Sequence, residues 1–224
     1  MFKRPPTAQE AVLAELRRCI VEGELAPGTQ IVQEALAGRL GLSRVPIREA
    51  LKILEGEGQV SYSPHRGYFV SELDLDDIRE VYRIRRTLET DAAILGVPRL
   101  TAEDLDRMAV GIEDLALAST RGDLVAMTAA NRRFHFAVIE ASGMPRLTRL
   151  VRQLWDATDP YRSLYYADET NRATVDRQHR QILAAARDGD TDLVVRLLDE
   201  HRAHAIAQFD LIFGPDGDLV ARRG

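Results

Sequence analysis

Leu36-Ala37-Gly38-Arg39-Leu40-Gly41-Leu42-Ser43-Arg44-Val45-Pro46-Ile47-Arg48-Glu49-Ala50-Leu51 is the stretch that decides how the first third of the chain folds. Two short helical runs meet at Gly41, where a glycine permits the backbone angle that a helix-turn-helix demands. Ser43 reads as the N-cap of the second run, and Pro46 falls in its first turn, where a missing N–H costs least. Ile47, Leu51 and Leu54 recur at helical spacing and face inward. That leaves Arg44, Val45, Arg48 and Lys52 on the outer side, near the end of the helix that enters a major groove in such motifs. Arginine suits that place because its fork can bond guanine O6 and N7 together. The competing reading is a solvated basic face on an ordinary core helix.

The flanking sequence separates the two readings. A first helix runs over 7–22, with Val12, Leu13, Leu16 and Ile20 on one stripe, and stops at Gly23. Leu25-Ala26-Pro27-Gly28-Thr29 reads as a turn, followed by helices over 33–40 and 43–56. Val60-Ser61-Tyr62 and Gly67-Tyr68-Phe69-Val70 are strand-like runs around Ser63-Pro64-His65-Arg66. Three helices and a hairpin predict a winged helix-turn-helix over 1–71. After Ser71 strand signals vanish, and helices are predicted near 74–96, 101–121, 123–142, 145–167, 171–188 and 190–213. Short breaks such as Arg121-Gly122 and Asp188-Gly189-Asp190 imply an antiparallel bundle over 72–213. A loose tail over 214–224 completes a mainly α fold.

Composition leaves this organisation open and removes other classes. At 224 residues the chain is long enough for two modest domains, and 45% hydrophobic with 29% charged residues is ordinary globular composition. The net charge of −5 divides unevenly: residues 1–71 hold nine Lys/Arg and eight Asp/Glu, giving +1, and residues 72–224 hold 21 and 27, giving −6. DNA binding needs a local basic surface, because screening limits charge effects to about 8–10 Å. No apolar run approaches the roughly 20 residues of a membrane span. With Cys19 alone there is no intrachain disulfide and no cysteine-based zinc site. The start lacks the apolar core of a signal peptide, so a cytoplasmic protein with no membrane partner is expected.

The bundle carries polar residues where its periodicity calls for apolar ones. On 74–96 the inward stripe is Ile78, Val81, Tyr82, Leu88, Ala92 and Leu95, and Arg85 lies on it with Glu89 one turn away. Those two form either a structural ion pair or a site awaiting a carboxylate ligand. On 123–142, Asn131 and His135 share the stripe of Leu124, Met127, Phe134 and Val138. His179 accompanies Val175, Ile182 and Ala186, and His201 follows Val194, Leu197 and Leu198, with His204 three residues on. One inward histidine is usually a satisfied core residue. Three on separate helices, with an asparagine, point to convergence on a metal, and imidazole ligands favour zinc or nickel.

Two resemblances sharpen these readings. Gly23-Glu24-Leu25-Ala26-Pro27-Gly28, Leu36-Ala37, Ser43 through Leu51, Leu54-Glu55-Gly56-Glu57-Gly58 and Arg66-Gly67 resemble the GntR family of regulators, in order and at the family's spacing. The resemblance implies DNA contacts from Ser43, Arg44, Val45, Pro46 and Arg48, with Arg44 and Arg48 on bases. It places Arg39 and Lys52 on phosphates, and the wing tip His65-Arg66-Gly67 in the minor groove. Some relatives carry a basic residue where this chain has Glu34. Tyr82-Arg83-Ile84-Arg85, Leu88-Glu89, Asn131-Arg132-Arg133-Phe134-His135, His179, Gly189-Asp190 and His201 resemble the FCD-type (FadR C-terminal) sensor domain of that family. This implies a divalent metal on Asn131, His135, His179 and His201, with Asn131 where many relatives have Asp. It also implies a small carboxylate effector held with Arg85, Glu89 and Tyr82. The function expected is a ligand-responsive repressor, a homodimer on a near-palindromic operator. The alternatives are a direct metal sensor and a metal-dependent bundle enzyme. The enzyme is disfavoured, since the chain has no Glu-x-x-His pair, no convincing Ser/His/Asp grouping and no phosphate-binding glycine loop.

Overall fold

A capping box starts the first helix: the Thr7 hydroxyl accepts from the Glu10 amide, and the Glu10 carboxylate accepts from the Thr7 amide at 2.7 Å. The computed structural model describes residues 5–214, and their packing divides into two units after Leu73. In the first unit, α1 (Ala8–Val21), α2 (Gln33–Leu40) and α3 (Arg44–Gly56) precede the hairpin of β2 (Val60–Ser63) and β3 (Gly67–Val70). Val12, Leu16 and Ile20 of α1 meet Ile47, Leu51 and Leu54 of α3, and Tyr68 and Val70 close the core from the hairpin. A further strand, β1 (Gln30–Ile31), pairs antiparallel with β3, giving the order β1-β3-β2. Two residues carry no periodicity, which is why the sequence showed only the turn that precedes them.

The second unit is helical throughout: α4 (Leu75–Gly96), a 3-10 turn (Val97–Arg99), α5 (Ala102–Arg121), α6 (Leu124–Ala141), α7 (Pro145–Tyr166), α8 (Glu169–Arg187) and α9 (Thr191–Phe213). Asp74, Asp123, Asp168 and Asp190 each accept a backbone N–H in the first turn of the helix they precede. Asp168 starts α8 two residues earlier than the apolar stripe indicated. Phe134, Ala137 and Val138 of α6 join residues of α4, α5, α8 and α9 in one core. The other face of α6, with Phe136 and Ile139, packs on Trp155 and Val151 of α7. Residues 215–224, most of the segment expected to be a loose tail, lie outside the described residues. Among the described residues no helix is long and apolar enough to cross a membrane.

One stripe assignment is corrected. Leu95 is exposed, while Ala92, Ala93 and Gly96 are buried at that end of α4. Small residues make the contact because the α4 backbone runs almost against α6: a Cβ on Gly96 would lie 2.3 Å from the Val138 carbonyl oxygen. Gly96→Ala should therefore destabilise the full chain by about 1–3 kcal/mol, since backbone must move to admit the methyl group. Gly38→Ala, in α2 with no atom within 4 Å of the added carbon, should stabilise it by about 0.5–1 kcal/mol. Urea denaturation of both variants tests the contrast.

Candidate nucleic-acid interface and buried polar site

Gly41 takes the left-handed conformation, φ 65°, and turns the chain from α2 into α3. Ser43 occupies the N-cap position in extended backbone, but its hydroxyl makes no capping hydrogen bond. The expected cap interaction is thus absent, and the amides of the first turn receive nothing from Ser43. Arg44, Val45, Arg48 and Lys52 are exposed, and Pro46 is half-buried beside them. Arg44 Nη2 meets the Glu34 carboxylate of α2 at 2.5 Å, and Glu49 lies 3.8 Å from Arg48 and 3.2 Å from Lys52. Arg39 turns toward α1, with Nη2 3.3 Å from Cys19 Sγ and 3.5 Å from Glu15. At the hairpin tip the Arg66 amide donates to the Ser63 carbonyl, Pro64 sets the first corner, and His65 sits at φ 64°. A positive φ after proline fits a type II turn, which most side chains adopt only with strain. Gly67 follows at φ 89°. The turn therefore projects His65 and Arg66, both exposed, away from the unit's core.

In the second unit, His135 of α6, His179 of α8 and His201 of α9 come together, with one ligating nitrogen from each within 4.8 Å of the others. His135 Nε2 and His179 Nε2 are 3.2 Å apart. His201 Nδ1 faces Gln178 Oε1 at 2.7 Å, so Nδ1 donates and the Nε2 lone pair is left for another group. Phe134 stacks on His179 with centroids 4.0 Å apart and holds its ring plane. Burial, then mutual proximity and nearby guanidiniums, push His135 and His179 well below their usual range. Burial and the cations Arg162, Arg202 and Arg85 bring His201 down to about 3. All three are neutral near pH 7, the form that ligates metals. Asn131, 1% exposed and one turn before His135, has no hydrogen-bond partner for either amide atom.

These residues fit a divalent ion. Two imidazole nitrogens bound at about 2.0–2.1 Å stand about 2.8–3.0 Å apart in octahedral and about 3.3–3.4 Å apart in tetrahedral geometry, and the 3.2 Å observed falls between the two. A simple hydrogen bond between His135 and His179 accounts for that distance too. It leaves the convergence of His201 and the orphaned Asn131 amide without a cause.

Beside the imidazoles lies a cluster of buried charge. Glu89 Oε1 accepts from Arg85 Nε and from Trp155 Nε1, both at 2.7 Å, and Oε2 accepts from Arg202 Nη1 at 3.2 Å. Arg85 also stacks on Trp155 at 4.2 Å and on Tyr82 at 4.7 Å, and its Nη1 is 3.4 Å from Thr158 Oγ1. Trp155 in turn packs on His135, centroids 5.1 Å apart. Of the two readings open for Arg85, the ion pair with Glu89 is present, buried at both ends. Sequence reasoning missed Arg162 and Arg202, which are buried at 7% and 6% exposure. Arg162 follows Val151, Trp155 and Thr158 on the inward stripe of α7, so the periodicity that exposed Arg85 also carries this residue.

Burial alone would push the Glu89 carboxyl up, but Arg85 and Arg202 overcome it and hold it below the usual range. Its stabilisation is therefore complete above the unfolded value of about 4.3 and is lost as pH falls toward the folded one. Glu89→Gln should cost about 3–5 kcal/mol at pH 7, because it strands two buried guanidiniums. The gap from the parent protein should narrow below about pH 4.3. Urea unfolding as a function of pH measures both.

Residues 8–70 match the bacterial regulatory proteins of the gntR family, and residues 80–204 match the FCD domain. The chain is 33% identical over 165 residues to the HTH-type transcriptional regulator McbR of Escherichia coli K12, covering 74% of each. It is 30% identical over 207 residues to an uncharacterized HTH-type transcriptional regulator of Streptomyces ambofaciens, covering 91% of this chain and 84% of that one. Among solved structures, E. coli McbR/YncC aligns with a TM-score of 0.77 at 30% identity, covering 91% of this chain and 97% of its own. A putative GntR regulator from Rhodococcus sp. RHA1 gives 0.76 at 25% identity, covering 89% and 96%. With helix-turn-helix, wing and helical bundle in that order, the chain belongs to the GntR family of DNA-binding transcriptional regulators and carries an FCD domain.

Proposed function

We propose that operator binding by this regulator is controlled by a small organic acid held at a metal site in the bundle. The observation that carries this reading is the meeting of His135, His179 and His201 beside buried arginines, with the unsatisfied Asn131 one turn before His135 on α6. Asn131 and the three neutral imidazoles would hold the ion, and such a donor set favours zinc or nickel over magnesium or calcium. The ion would supply a Lewis-acidic positive charge undiminished by any ligand carboxylate. Glu89 fixes the guanidinium of Arg85 by its Nε edge, with Tyr82 against its face, and so aims it for the effector carboxylate.

On the DNA side, Arg44 and Arg48 read bases, with Val45 and Pro46 against the groove wall. Ser43 and Lys52 meet phosphates, and Arg39 does so on exchanging Glu15 for one. His65, Arg66 and Gly67 carry the wing into the minor groove. A homodimer supplies two such heads for a near-palindromic operator. Repression is the sign we assign; RspR of E. coli K12, 25% identical over 186 residues, is named an HTH-type transcriptional repressor.

Arg44→Ala and Arg48→Ala should each weaken operator binding by about 1–3 kcal/mol and relax sequence preference. Titration of operator and random duplexes decides this, and equal weakening on both would reassign the arginines to phosphates. His135→Ala should abolish zinc retention while leaving helicity near that of the parent protein; full metal content in that variant rules out the site. Chelation followed by zinc and then carboxylic acids separates effector sensing from direct metal sensing. If zinc alone switches operator binding and no acid changes it, the metal is itself the signal.

A further inference from the structure

Three arginines are buried near the imidazoles, and only two of them share Glu89. Arg85 donates to it at 2.7 Å and Arg202 at 3.2 Å, and Arg202 also has Thr90 at 3.3 Å. Arg162 is placed differently. Its guanidinium stacks on Trp155 at 4.2 Å, and it meets the Tyr166 side chain. Its Nε and Nη2 nevertheless make no hydrogen bond, and its carboxylate neighbour, Asp159 Oδ1, is 3.9 Å from Nε. The other oxygen of Asp159 takes a hydrogen bond from Arg132 at 3.1 Å. A guanidinium keeps its proton even when buried, so Arg162 is a permanent charge with unused donors in a site 7% exposed. Each buried donor left unmade costs about 1–3 kcal/mol.

The surroundings share this deficit. Thr128 Oγ1 stands one turn before Asn131 on α6, and Tyr165 Oη follows Arg162 on α7; both are buried without hydrogen-bond partners. Arg162 is also close enough to the metal-type cluster to be among the cations that push down all three imidazoles. Trp155 links the parts, since its indole packs on His135 and carries both the Arg85 and Arg162 guanidiniums at 4.2 Å.

We propose that Arg162 seats a second anionic group of the effector, so that the sensor selects small dicarboxylates over monocarboxylates. This rests on the effector reading above and adds ligand class and residue to it. One carboxylate lies toward the imidazoles and Arg85. The other takes the fork of Arg162, where a planar, bidentate acceptor matches its unused edge.

The test uses the full chain loaded with zinc and compares succinate with succinamate, which has the same shape and one charge fewer. Calorimetric titration should show succinate binding at least tenfold more tightly. Arg162→Gln should weaken succinate much more than succinamate and bring the two to similar affinity. Arg162→Lys, which keeps the charge, should retain part of the preference. Equal affinities in the parent protein, or a preference that survives Arg162→Gln, would overturn the assignment of Arg162 while leaving carboxylate sensing intact. If neither compound nor malonate, lactate or acetate binds, the effector reading itself fails.

Discussion

Glu89 joins α4, α7 and α9 through one buried carboxylate, and the arrangement of the buried polar site depends on it. A carboxylate at 4% exposure is tolerable only when its oxygens are filled, and here the donors are Arg85, Trp155 and Arg202. Each donor does something besides neutralising Glu89. Arg85 stacks on Trp155 and Tyr82, with Nη1 3.4 Å from Thr158 Oγ1. Trp155 is fixed as a platform against His135 and two guanidiniums, and Arg202 ties α9, which carries His201, back to α4. The imidazole of α8 is positioned separately, by Phe134 stacking on His179. An ion pair of this kind adds little net stability over an apolar replacement, but it specifies one arrangement of helices.

Much of this was legible in the sequence because the bundle follows one period. Helix ends fall at Asp caps and at glycines such as Gly122, and the inward stripes identify Asn131, His135, His179, His201 and Arg85 as polar residues in apolar places. Convergence in space is another matter, since a stripe gives the face of each helix and not the height at which faces meet. The periodicity also favoured large residues, which is how Leu95 was set inward where Ala92, Ala93 and Gly96 make the contact. Arg162 was hidden for a different reason. It stands among aromatic and polar neighbours on α7, so it contrasts less with its stripe than an arginine among aliphatic residues.

The DNA-binding unit shows what counting charges misses. Its exposed cations are engaged: Arg44 with Glu34, Lys52 with Glu49, and Arg39 with Glu15. Exposed pairs of this sort contribute about 0–1 kcal/mol, so phosphate or base edges can displace them at small expense. Their effect is on geometry and on non-specific attraction. Glu34 holds the Arg44 fork at the start of α3 and withdraws one positive charge from the face that approaches DNA. Affinity that does not depend on sequence comes from neutralised phosphates. On the proposed assignment of Arg44 to bases, its pairing with Glu34 shifts its contribution away from that affinity and toward base recognition.

The same logic of unsatisfied groups connects stability to the sensing proposed for the bundle. A pocket whose polar atoms all bonded one another would gain little from a ligand, because every new contact would replace an old one. Here Asn131, Thr128, Arg162 and Tyr165 retain unmade hydrogen bonds inside a well-packed core. They lower the stability of the unit by their desolvation, and the proposed effector would return it by supplying groups of matching charge. A ligand that supplies those contacts stabilises the folded state by mass action, and it can shift the regulator only as far as its contacts differ between the two functional states. On the proposed effector reading, the residues that make the unit less stable are therefore the ones able to tell an occupied site from an empty one.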